Sequence, residues 1–124
     1  MSNLLFWLYV IELTLLILHE MDSTYWKEWD LFHLPGGQPG FLLMHLPLWP
    51  LAIYGAVQVW IGTPAETVYV LVVAVAGLVG FGLHTYFLRI GHPEFDAPIS
   101  KGILWALLVL SLLQVGLTIL VLNG

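Results

Sequence analysis

Cysteine is absent from this chain of 124 residues. That excludes disulfides, thiolate nucleophiles, cysteine-ligated zinc or iron–sulfur sites and covalent c-type haem. Cations are scarce as well: three Lys and Arg face eight Asp and Glu, for a formal net charge of -5. No basic patch exists to meet phosphates, so nucleic acid is excluded as a partner. Strong attraction to anionic headgroups is not expected either. Charged residues make up only 9% of the chain and hydrophobic ones 60%, and the mean hydropathy is +0.93. A soluble domain this small needs far more charge to cover its surface. The composition reads as one integral membrane domain over residues 1–124, whose first partner is the lipid bilayer.

Four apolar segments carry that hydropathy, at 4–18, 41–61, 67–90 and 103–122. The last three are about 20 residues or longer, enough to cross hydrocarbon as helices. The first reaches that length only by taking in His19 and Glu20. Spans are therefore expected over 4–22, 41–62, 64–90 and 98–122, with an interfacial segment at 23–34 where Tyr25, Trp26 and Trp29 mix with Lys27, Glu28 and Asp30. The fold class is all-α, an integral membrane four-helix bundle. Residues 1–22 hold no Lys or Arg, contain Glu12 and precede no A-x-A-like site, so they read as a retained span rather than a signal peptide.

Several helix ends follow from local chemistry. Thr63-Pro64-Ala65-Glu66 offers an N-cap, a proline at the first helical position and a capping-box Glu. Asp96 before Ala97-Pro98 is expected to cap the fourth span. Gly36-Gly37 between Pro35 and Pro39 breaks the chain before the second. Lys27 lies in the first connection, and Arg89 and Lys101 flank the third. In a four-span chain those connections share a side, which the positive residues assign to the cytoplasm of a bacterial inner membrane.

Span parity brings His19, His45 and His84 to one depth on that same side. Glu12 and His19 are seven residues apart, so they share a helical stripe about 10 Å long. His45 precedes Pro47 and Pro50, which loosen the backbone at membrane depth. Gly77 and Gly80 sit below His84 and allow a neighbouring helix to come close. Ionisable groups in hydrocarbon face a partner or a wet cavity. The chemical reading is a metal site in which His19, His45 and His84 ligate zinc or non-haem iron. Glu12 and Glu20 are its catalytic acid/base candidates, and Asp22, Trp49, His92 and Glu94 line the pocket. Haem b held between His45 and His84 is an alternative. So is a purely structural cluster in which these groups bond one another and hold the helices together. His33 reads as a solvated loop residue, and Gln58 and Gln114 as helix–helix glue.

Around Glu12, His19-Glu20 and the stretch from Tyr25 to Trp29, the chain resembles small bacterial four-span proteins of the HxxEE type. Asp22 and Ser23 stand where that motif has its two Glu residues. The resemblance covers about the first third of the chain and implies a pocket built on the first span, without a settled activity.

Three functions remain open. One is a small metal-dependent enzyme acting on a lipid or other amphipathic substrate. A second is a non-enzymatic accessory or scaffold subunit of a larger membrane complex. The third is a proton-coupled carrier, which with four spans per chain would call for a homodimer.

Overall fold

The computed structural model describes residues 2–124. It contains α1 (Ser2–Tyr25), the short α2 (Glu28–Leu31), α3 (Gly37–Ile61), α4 (Glu66–Arg89) and α5 (Pro98–Asn123). No strand occurs among the described residues. The four long helices are apolar enough, and long enough, to cross a membrane. A helix of 24 residues extends about 36 Å at 1.5 Å per residue, against about 30 Å of hydrocarbon. The protein is an all-α membrane bundle of four helices.

α1 runs unbroken because no proline or glycine interrupts residues 2–25. Leu5, Tyr9, Glu12, Leu16, His19 and Ser23 are buried along it. Their spacing of three and four residues traces one helical face. α5 carries the matching stripe: Ser100, Leu104, Leu107, Ser111, Gln114 and Thr118 are all buried. Three of the six residues on the α1 stripe and four of the six on the α5 stripe are polar, so these helices pack through hydrogen-bonding groups as well as aliphatic ones. Leu5, Tyr9, Leu13 and Leu16 of α1 join Val59, Val70, Val73 and Leu107 in the apolar core.

α4 and α5 share the most extensive interface, and α1 packs against α3, α4 and α5 in turn. α3 is the peripheral member: only Phe41, Gly55, Gln58 and Val59 are buried on it.

Three helix ends differ from the expectations. α3 starts at Gly37, four residues before its apolar run, with Pro39 in its first turn. The N–H that proline lacks there has no intrahelical partner to lose. The capping box at Thr63 does not form, because the Thr63 hydroxyl donates to Gln58 Oε1 at 2.8 Å. Gln58 is buried, and an unpaired buried amide oxygen costs more than an uncapped, water-facing helix start. Asp96 is no side-chain cap either. It pairs instead with Lys101 at 2.7 Å, and Pro98 opens α5.

Gly77 explains how α4 meets both stripes. A Cβ built there would collide with Glu12 Oε1 and Ser111 Oγ. Gly82, by contrast, has open space around it. We expect Gly77→Ala to destabilise the bundle by about 1–3 kcal/mol through overpacking. Gly82→Ala should be neutral or slightly stabilising through helix propensity. Thermal unfolding of both variants in detergent checks the contrast.

Candidate metal centre

The polar faces of α1 and α4 meet at the end of the bundle that carries α2 and the loop from residue 90 to 97. His19 lies 3% exposed and His84 2% exposed, with ring centroids 4.7 Å apart. The third member comes from outside the spans. After Tyr25 the chain turns at Lys27, whose φ of 54° is left-handed. That turn swings α2 back, so that Glu28 Oε2 comes within 3.9 Å of His84 Nε2. His19, Glu28 and His84 each offer one ligand atom, and these atoms all lie within 4.8 Å of one another. Glu28 Oε2 and His84 Nδ1 have no hydrogen-bond partner within the protein. Buried polar atoms are normally paired, so orphans on two adjoining side chains call for an explanation.

A second pair adjoins the first. His45 Nδ1 lies 2.7 Å from the Phe41 carbonyl, which can only accept, so Nδ1 carries a proton. His45 Nε2 lies 2.7 Å from Glu20 Oε2. Two lone pairs would repel at that distance, so this contact needs a proton of its own, held by the ring or by the carboxyl. The other oxygen of Glu20 is 4.0 Å from His19 Nε2. Glu20 therefore stands between the His19–Glu28–His84 group and His45.

Aromatic rings close the site. Phe95 is fully buried, 3.9 Å from the His84 ring and 5.5 Å from that of His19. Its φ of 68° is unusual for a bulky side chain. The packing of Phe95 against the imidazoles holds that backbone in place. Phe32 lies 5.5 Å from His84 on another side. Trp49 lies 5.8 Å from the His45 ring.

The residues singled out from the sequence are thus distributed over several contacts. His19 and His84 come together; His45 is joined to them through Glu20 rather than directly. Glu12 lies about two turns deeper and accepts a hydrogen bond from Ser111 of α5. Asp22 accepts from the Trp26 indole at 3.0 Å, and the same N–H lies 3.3 Å from Ser100 Oγ. His92 and Glu94 pair with each other at 3.5 Å on the loop. Glu28 and Phe95 were missed. Nothing in the sequence announces a left-handed lysine, whereas a lone aromatic in the loop Gly91-His92-Pro93-Glu94-Phe95-Asp96 was a usable signal.

Residues 5–121 match the family described as Family of unknown function (DUF6713). The chain belongs to that family. The match does not confirm the HxxEE-type resemblance of the first helix. No curated protein and no solved structure matches this DUF6713 chain. Its chemistry is therefore argued from the site itself.

Glu28 lies outside the spans, and burial pushes its carboxyl up to about 7 from 4.5, with the charge of Glu20 adding to the rise. The folded state then holds this proton more tightly than the unfolded chain does. The corresponding stability is present below about 4.5 and is lost as pH rises through about 7. Chelator-treated protein should accordingly melt at lower temperature as pH is raised across that window. Glu28→Gln should flatten part of the fall; an unchanged slope in that variant would count against it.

Proposed function

We propose that this DUF6713 chain is a small membrane metalloenzyme whose metal is held by His19, Glu28 and His84. The observation that carries the reading is the convergence of three buried ligand atoms within 4.8 Å from three separate elements, α1, α2 and α4. Two imidazoles and one carboxylate suit zinc of the catalytic type or non-haem ferrous iron. Ligand atoms around tetrahedral zinc are about 3.4 Å apart. The 3.9 Å between His84 and Glu28 thus closes with a shift of well under a side chain's reach. Three protein ligands leave a coordination position for water or substrate.

Glu20 is the acid/base residue in this scheme. Its oxygen 4.0 Å from His19 Nε2 would take or give a proton beside a metal held there, while its other oxygen shares a proton with His45. Glu12 takes a structural part, joining α1 to α5 through Ser111. The site sits just inside one membrane face, which suits a lipid or other amphipathic substrate arriving from the bilayer. Lys27, Arg89 and Lys101 at that end support a cytoplasmic orientation in a bacterial inner membrane.

Elemental analysis tests the metal directly. Protein purified without chelator should carry stoichiometric zinc or iron. His84→Ala and Glu28→Gln should each lose it, since removing one of three ligands costs most of the affinity. His33→Asn, on an exposed residue away from the cluster, should keep it. Metal-free wild type that also fails to bind added zinc or ferrous iron would sink the reading.

A further inference from the structure

A groove of about 430 Å³ opens between α1, α3 and α4. Its walls are Leu13, Leu16, Leu48, Leu51, Val68 and Val72, among other apolar side chains. One end is closed by Tyr9, whose hydroxyl donates to the Ala52 carbonyl at 2.8 Å. The other end is formed by Glu20 and His45. From Tyr9 to Glu20 the groove follows α1 for about 16 Å. It exists because α3 stands at the edge of the bundle. α3 approaches closely at Gly55, where a Cβ would lie 2.5 Å from Tyr69 and from the Tyr9 hydroxyl. Leu48, Leu51, Val68 and Val72 remain exposed, so the side of the groove is open to hydrocarbon.

The geometry points to this groove as the binding site for one apolar chain of an amphiphile whose head is an uncharged hydroxyl group. The walls accept a chain and hold few polar groups along its length. The head end does discriminate. His45 spends both ring nitrogens, on the Phe41 carbonyl and on Glu20 Oε2, so the free group at this end is the other oxygen of Glu20, which accepts from a hydroxyl group. Glu20 is the one acid in the groove's lining, and the exposed basic residues Lys27, Arg89 and Lys101 are not part of it. A fatty-acid carboxylate has no proton to donate to that Glu20 oxygen and would leave its own charge without a cation in the groove, so it is disfavoured. A head at Glu20 stands next to His19, so a molecule in the groove presents its hydroxyl end toward the three-residue cluster. That the bound molecule is also the substrate rests on the metalloenzyme reading; the binding site itself does not.

Photolabelling tests the groove. Full-length protein in lipid nanodiscs would be exposed to a long-chain alcohol carrying a chain diazirine, and to the fatty acid of the same chain. Cross-linked peptides would be mapped by mass spectrometry, and metal content measured on the same preparations. The alcohol should label groove residues of α1, α3 and α4 several-fold more than the acid does. Ala76→Phe, on an exposed wall residue, should cut that labelling several-fold, and Val109→Phe on the exposed face of α5 should leave it unchanged. Equal labelling by acid and alcohol, labelling spread over all exposed faces, or indifference to Ala76→Phe would mean ordinary boundary lipid and overturn the proposal. A cross-linked dimer that shields the groove would overturn it too, by naming a second copy as the occupant. Metal-free protein with groove labelling would reject the metalloenzyme reading alone; metal-loaded protein without it would reject the groove alone.

Discussion

A carboxyl or imidazole carried into hydrocarbon loses its water, and its cost falls only when another helix supplies a partner. In this bundle that requirement ties α1 to every other span. Tyr9 bonds α3 through the Ala52 carbonyl, and Glu20 bonds it through His45. Glu12 reaches Ser111 of α5, and just past the end of α1 Trp26 reaches Ser100. His19 lies against His84 of α4. Lipid tails are as apolar as leucine, so aliphatic contacts alone give helices little reason to choose one partner or one rotation. The polar stripe of α1 supplies both.

The same requirement makes the incomplete partnerships informative. Glu12 uses one oxygen on Ser111 and leaves Oε2 unpaired, and neither side-chain atom of buried Gln114 finds a partner. The function of that deep pair as glue is thus only half expressed in contacts, and a buried water is the usual remedy. At the His19–Glu28–His84 cluster, one ligand atom from each of three elements instead lies within 4.8 Å of the others, and Glu28 Oε2 there is unpaired. Convergence separates a coordination site from a collection of buried polar groups.

Position then relates the site to the groove. Glu20 touches both: one oxygen is turned to His45 at the groove's end and the other to His19. Phe95 and Phe32 cover the cluster on the sides away from the groove's lining. The side left open to a ligand therefore runs through Glu20 and His45. A single carboxyl between a proton-sharing imidazole and a candidate ligand is well placed to pass a proton from one to the other.

Much of this was legible in the residues themselves. Three apolar runs of spanning length, and a shorter first one completed by His19 and Glu20, identified the four membrane helices, and parity brought the three intramembrane histidines to one end. The seven-residue interval put Glu12 and His19 on one face, where both are buried. Depth, however, follows from counting along a helix, whereas contact depends on how each helix is rotated and how far apart the axes stand. That is why His19 and His84 meet while His45, at similar depth on the peripheral α3, reaches them only through Glu20. Glu28 was hidden for a different reason. Its place depends on a left-handed backbone at Lys27 that returns a polar segment to the bundle, and local propensity carries no signal for that. Phe95 likewise holds an unfavourable backbone because its ring fills the space beside two imidazoles. The sequence by itself determined that His19, His45 and His84 share one end of a membrane bundle, since span parity fixes which helix ends lie together. Only the tertiary structure decided which of them meet, because helix rotation and loop return are settled by packing between elements rather than within them.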